Sequence, residues 1–175
     1  MHDYGFLNTQ TDPRFGDRKY GRLGTIAKNG CGLIALYNVE RAADARTQFD
    51  PYYENRKPIK TNLFGLLGTR PSAIEKQLHR KGFFVEHIPM KTAAQAPRYD
   101  AVIVLYWYRF GAHYVAGLAC ENEKYRLYNE FTEPYPMALE PYLSYLKTHQ
   151  KHVVRVWGVR FPNRETEDRR ETLES

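Results

Sequence analysis

The chain has 175 residues, of which 42% are hydrophobic, and it carries a formal net charge of +6. This length is enough for one domain with a sizeable core, and two cysteines argue against a disulfide-stapled scaffold. No run approaches the roughly 20 apolar residues that span a bilayer, so no membrane partner is predicted. The first six residues lack the basic start and apolar core of a signal peptide. A reducing, cytoplasmic location is therefore expected.

Positive charge together with 14 tyrosines is also the composition of a nucleic-acid surface, because basic groups bind phosphates and aromatic rings stack on bases. The basic residues are scattered, however, and match no nucleic-acid-binding motif. They include Arg14, Arg18, Lys19, Arg22, Arg56, Lys57, Lys60, Arg80 and Lys81. A solvated basic face is the better interpretation, and a nucleic-acid partner is not predicted.

A central helix is predicted over residues 30–46, after an extended arm over residues 1–28. Apolar side chains cover most of the circumference of this helix, which indicates burial rather than a surface position. They are Leu33, Ile34, Ala35, Leu36, Val39, Ala42 and Ala43.

The first turn of this helix holds the candidate nucleophile, Cys31, between Gly30 and Gly32. Free N–H groups and the positive end of the helix dipole favour the thiolate there, which predicts a lowered thiol pKa. The two glycines let backbone or substrate approach the sulfur closely. The other cysteine, Cys120, ends an apolar strand and is predicted only to pack.

Residues 47–68 are predicted to form a loop-rich crossing, because prolines and glycines interrupt them. A second helix follows, with Thr69 or Ser72 as its cap and Pro71 in its first turn. A strand is predicted over residues 83–88.

Three strands come next, over residues 101–108, 113–119 and 125–128. His113 begins the second of them, and Asn129 follows the third, 16 residues after the histidine. Neighbouring strands lie roughly 4.8 Å apart, so Asn129 is placed to orient the imidazole of a candidate base. Glu130 is the alternative orienter, but strand alternation puts it on the opposite face from Asn129.

The remaining predicted elements are a short helix over residues 139–146 and a closing strand over residues 153–161. The tail over residues 163–175 is charged and without apolar period, and is expected to be mobile or a charged helix. Residues 1–162 are predicted to form a single α+β domain, with helices early and a mostly antiparallel sheet late.

The order Cys31, His113, Asn129 resembles the papain-like cysteine peptidases, and more narrowly the compact bacterial branch related to the double-glycine leader peptidases. That branch has a Cys-Gly pair opening an apolar helix, as Cys31-Gly32 does here, and a histidine leading an apolar strand, as His113 does. An Asp-Pro pair ends its next strand, where this chain has Asn129-Glu130. The likeness spans most of residues 5–161. It implies a papain-like fold, with the cysteine-bearing helical part packed on the sheet that carries the histidine.

Three positions depart from the pattern of that branch. Leu33 stands where many relatives carry proline, and an amide at Asn129 replaces the aspartate that would stabilise imidazolium by charge. Leader peptidases also place a glutamine six residues before the cysteine to hold the oxyanion, and that position is Thr25. Gln10 or Asn29, with the backbone N–H of Cys31, is the alternative donor.

The leading interpretation is a thiol-dependent amide hydrolase, a cysteine peptidase with a Cys31–His113–Asn129 triad, acting on a peptide or protein without a cofactor. The alternative is an inactive papain-like module that binds a peptide segment in the same cleft. No metal is expected, because His149 and His152 have no further ligands at suitable spacing. The cleavage preference, the choice between hydrolysis and acyl transfer, and the oligomeric state stay open.

Overall fold

The structure, a computed structural model, describes residues 4–55, 61, 68–95, 98–109 and 111–162. The predicted tail over residues 163–175 and most of the second half of the predicted crossing lie outside the described residues. Within the described part, four α-helices come before the strands of a six-stranded sheet, and a fifth α-helix precedes the closing strand. The predicted α+β class is confirmed.

The sheet has the strand order β3-β8-β4-β5-β6-β7, and neighbouring strands run antiparallel. Its strands are β3 (Phe84–His87), β4 (Ala101–Tyr108), β5 (Gly111–Ala119), β6 (Tyr125–Tyr128), β7 (Tyr135–Met137) and β8 (His152–Arg160). The strands predicted from β-branched and aromatic runs are confirmed to within two residues at each end. The short edge strand β7, with its central proline, is missed by the sequence pattern.

The central strand β4 is apolar on both faces because the sheet is covered on both sides. Ile103 and Leu105 join a core cluster with the residues of the central helix. Val102 and Val104 join a second cluster with α5 (Leu139–Thr148). Because β4 lies between two apolar layers, both of its faces are apolar. This explains its continuous apolar run in the sequence.

The central helix α2 (Cys31–Ala43) is buried over residues 31–40, in agreement with its apolar circumference. It starts one residue later and ends three residues earlier than predicted. A short helix, α1 (Ile26–Asn29), leads directly into it through Gly30, whose N–H donates to Ile26 O at 2.8 Å. A two-stranded sheet of β1 (Lys19–Tyr20) and β2 (Gly24–Thr25) precedes α1.

Two further helices complete the helical part, α3 (Phe49–Asn55) and α4 (Pro71–Arg80). Helix α3 lies where a loop was predicted. Pro71 opens α4 as predicted, but the cap residue is Arg70, without a side-chain cap hydrogen bond, and not Thr69 or Ser72. In the part of the chain that the structure describes, no helix has the length and apolar character needed to cross a membrane.

Candidate active site

The thiol of Cys31 lies in the core, with 5% of the residue exposed. The backbone N–H groups of Cys31, Gly32 and Tyr114 favour the thiolate, but burial outweighs them and raises the pKa of the Cys31 thiol to about 11. The predicted lowering of the thiol pKa is therefore wrong for the resting structure. At neutral pH this structure holds a neutral thiol at the start of α2.

The glycines beside Cys31 serve the packing of the chain itself. A Cβ at Gly30 would lie 2.6 Å from Ile26 O, and one at Gly32 would lie 2.3 Å from Thr69 Oγ1. Thr69 in turn shares a short buried hydrogen bond with Tyr20. Atoms of α1 and of Thr69 therefore occupy the space beside the two glycines, and this space is not an open cleft.

His113 lies in β5 as the cross-strand neighbour of Tyr106 in β4. Its Nε2 is 2.5 Å from the backbone oxygen of Asn129. A carbonyl oxygen only accepts, so Nε2 carries the proton and Nδ1 keeps the lone pair of a base. Burial lowers the pKa of His113, opposed by Asn129 and Glu130, and the neutral ring is favoured.

Asn129 orients the ring through its backbone and not through its side-chain amide. Its φ of 66° is in the left-handed region, which asparagine tolerates better than most residues. The side-chain Oδ1 accepts from Gln10 N at 3.2 Å, and Nδ2 lies 3.4 Å from both Tyr114 O and Gln10 Oε1. The predicted partnership of His113 and Asn129 is present, with a different atom in contact.

Glu130 also lies in the surroundings of His113. The alternation of β6 ends at Tyr128, because Asn129 takes a left-handed conformation, so Glu130 is not directed away as the strand pattern predicted. Its carboxylate accepts from Tyr106 OH at 2.7 Å and pairs with Lys151 Nζ at 2.5 Å. The site therefore contains a carboxylate, one residue beyond the predicted orienter.

The two side-chain candidates for the oxyanion hole, Gln10 and Asn29, occupy settings that differ from each other and from that of Thr25. Thr25 caps α1, accepting from Lys28 N at 3.4 Å, and Gln10 Nε2 donates to Ala27 O at 2.9 Å. Asn29 ends α1 two residues before the cysteine, and its side chain makes no hydrogen bond to another described residue. Asn29 is thus the candidate whose amide is not already engaged within the described part.

The thiol of Cys31 lies next to the backbone of β5, close to His113 in sequence. Its neighbour there is the backbone N–H of Tyr114, the residue after the histidine. Tyr114 belongs to the cluster on the α2 side of the sheet, whereas Tyr106, the partner of His113, belongs to the other cluster. Among the described residues, no hydrogen bond joins the thiol to the imidazole. Such bonds are often long in unliganded enzymes and shorten when substrate binds.

Two predictions about other residues can be compared with the structure. Cys120 is a partly exposed residue after β5 whose thiol donates to Lys124 O at 3.3 Å, which is consistent with a structural role. Among the described residues, no group of three or more histidine, cysteine or acidic side chains is placed to hold a metal ion.

The residues that the sequence reasoning missed are Asn8, Tyr106, Tyr114 and Lys151, which contact Asn129, Glu130 or the thiol. Each arrives from an element remote in sequence, and none has a local motif that marks it. Asn8 Oδ1, for example, accepts from Asn129 N at 3.1 Å across 121 residues.

A solved structure shares this fold. The peptidase domain of Streptococcus ComA, a bi-functional ABC transporter involved in a quorum sensing pathway, matches with a TM-score of 0.53 and 17% identity. The match covers 82% of this chain and 100% of that domain. The ComA peptidase domain of Streptococcus mutans, solved in complex with a small-molecule inhibitor, matches with a TM-score of 0.46 and 16% identity, over 75% of this chain and 92% of that one.

No model of a protein family matches the sequence, and a search of curated proteins finds no match either. The first of these domains confirms the predicted resemblance at the level of fold: this chain shares the α+β fold of the ComA peptidase domain.

Proposed function

We propose that this chain is a cysteine peptidase that cleaves a peptide or protein substrate, with Cys31 as nucleophile, His113 as base and Asn129 as the group that orients the ring. The observation that carries the proposal is the contact of His113 Nε2 with Asn129 O, because it leaves Nδ1 as the atom able to take a proton. The fold, which is that of a peptidase domain, supports the same function.

In the proposed reaction, His113 Nδ1 takes the thiol proton as Cys31 Sγ attacks the substrate carbonyl carbon. The backbone N–H of Cys31 at the start of α2 and the Asn29 amide stabilise the oxyanion that forms. His113 returns the proton to the leaving amine, and the C–N bond breaks to give a thioester. Water then attacks the thioester with His113 as base, which releases the acid and restores the thiol.

The high pKa of the thiol makes proton transfer unfavourable before substrate binds, as burial penalises thiolate and imidazolium alike. Catalysis by this site therefore requires that bound substrate brings the imidazole to the sulfur. This is a geometric requirement on His113 and Cys31, which the resting structure holds on neighbouring backbone positions.

The test is turnover of a peptide library that includes double-glycine sequences, with products identified by mass spectrometry. We expect cleavage by the wild type and by Cys120→Ser, the matched control, and none by Cys31→Ser or His113→Ala. Turnover that survives Cys31→Ser would overturn the assignment of the nucleophile.

The second candidate function is peptide binding without catalysis. The absence of a thiol–imidazole hydrogen bond and the raised thiol pKa favour it. Binding of a library peptide that is equally strong in wild type and Cys31→Ala, with no product from either, would establish this function in place of the first.

A further inference from the structure

A partly buried ion pair lies near the candidate base. The side chain of Glu130 is 1% exposed and that of Lys151 is 23% exposed, with Nζ 2.5 Å from Glu130 Oε1. Tyr106 OH donates to Glu130 Oε2 at 2.7 Å, and Tyr142 OH donates to the same oxygen at 3.3 Å. The carboxylate is thus held by one ammonium group and two phenols.

Tyr106 connects this pair to His113. The two rings lie 5.5 Å apart between centroids, at an angle of 55°, and their residues face each other across β4 and β5. Lys151 Nζ lies 4.9 Å from the centroid of the Tyr106 ring and 3.3 Å from its hydroxyl. The phenol that packs on the imidazole is therefore fixed by both members of the ion pair.

Two of the described contacts of His113 are made by uncharged groups. Asn129 supplies a carbonyl dipole, and Tyr106 supplies a phenol from β4. Burial and the charge of Glu130 raise the pKa of Tyr106, which keeps this phenol a neutral donor. Within the part of the chain that the structure describes, the carboxylate of Glu130 and the ammonium group of Lys151 are charged groups that act on the ring.

We propose that Glu130 and Lys151 are positioning residues that fix Tyr106 against His113 and set the stability of the imidazolium ion that forms when Cys31 loses its proton. This inference rests on the proposed role of His113 as base. It assigns to Glu130 the negative charge that the amide at Asn129 cannot supply, and to Lys151 the opposing charge that keeps the buried carboxylate paired.

The directions of the electrostatic effects agree with this assignment. Burial lowers the pKa of His113 most strongly, the charge of Glu130 raises this pKa, and the charge of Lys151 lowers it. Removal of either charge should therefore move the proton affinity of the ring, and the two removals should move it in opposite directions.

The experiment is an NMR titration of the His113 ring in the full chain, with the resonance assigned by its loss in His113→Ala. In Glu130→Gln we expect the proton affinity of His113 to fall on the order of tenfold, as for a charge removed within several ångströms in a partly buried site. In Lys151→Met we expect the proton affinity of His113 to rise above that of the wild type, because the opposing charge is removed. The matched control is Glu133→Gln, which removes an exposed carboxylate three residues further along and should change nothing.

Equal titration of His113 in Glu130→Gln and wild type, or equal titration in Glu130→Gln and Lys151→Met, would overturn the proposal. A purely structural role would change the melting temperature of both variants without changing the proton affinity of His113 in opposite directions. If Glu130→Gln does not fold, the comparison of Lys151→Met with Lys151→Arg decides. Lys151→Met removes the positive charge and should raise the proton affinity of the ring, whereas Lys151→Arg keeps the charge and should not. The titration needs no turnover, so failure of the peptidase assay would leave this result readable on its own.

Discussion

At the scale of single residues, the geometry of the site depends on the backbone of Asn129. Its left-handed conformation turns the carbonyl oxygen to His113 and frees the side chain to bind the N-terminal arm. The amide nitrogen of that side chain faces two acceptors, Tyr114 O and Gln10 Oε1. An amide thus fits this position where a carboxylate would present oxygen to oxygen.

This arrangement predicts that Asn129→Asp, which restores the residue typical of the leader peptidases, destabilises this chain. We expect the free energy of unfolding to fall by about 1–2 kcal/mol, the usual cost of leaving buried acceptors without a donor. The measurement is urea denaturation at pH 7. Asn122→Asp is the matched control, because Asn122 also has a positive φ but is exposed. An Asn129→Asp protein as stable as wild type would contradict the assigned contacts.

At the scale of elements, the central feature is the close approach of α2 to the segment before α4. Gly32 in the first turn of α2 contacts Thr69, which also receives a hydrogen bond from Tyr114 OH to its backbone oxygen at 3.0 Å. Helix, segment and strand β5 therefore meet beside the thiol. The start of α2 is held in place by packing and not by a side-chain cap.

We predict that Gly32→Ala destabilises the protein by about 1–3 kcal/mol, because the new methyl group would lie 2.6 Å from Thr69 Cβ. For a domain of this size, such a change lowers the melting temperature by roughly 2–4 °C per kcal/mol. Calorimetry on the purified variant measures it. A gain in stability, as expected for alanine in an uncrowded helix, would show that α2 and Thr69 are further apart than described.

At the scale of the whole molecule, burial of a neutral histidine makes stability depend on pH. The folded-state pKa of His113 is lowered. Near and below the ordinary histidine pKa of about 6.5, the unfolded chain therefore binds more protons than the folded chain. Stability is therefore lost as pH falls from about 7 to 5, in the range where the unfolded chain takes up this proton.

The corresponding prediction is that His113→Gln reduces the loss of stability between about pH 7 and pH 5. Urea unfolding at both pH values in wild type and variant measures the difference. His79→Gln, on the exposed side of α4, is the control and should keep the wild-type dependence. An unchanged pH dependence in His113→Gln would mean that the ring titrates alike in the folded and unfolded chain.

The strands β4 to β6 and the central helix could be predicted from sequence because long apolar runs and helical periodicity determine them. The helix α3 could not, since its proline, Pro51, and its polar residues resemble a loop, and β7 is too short to show alternation. At the site, the spacing of His113 and Asn129 predicts their contact. The atom that makes the contact depends on one left-handed residue, and Lys151 reaches Glu130 from a different element, so neither has a local signal.

The bonds between the N-terminal arm and the turn after β6 affect the order in which the protein folds. Asn8 and Gln10 bind Asn129, Phe131 and Thr132 across 119 to 124 residues of sequence. Contacts of such high sequence separation close late, because the loop entropy must be overcome first. A ribosome releases the arm long before its partner turn is made. The group that orients His113 is thus completed only when the two distant parts of the chain join, so activity in a refolding experiment should appear after the sheet has formed.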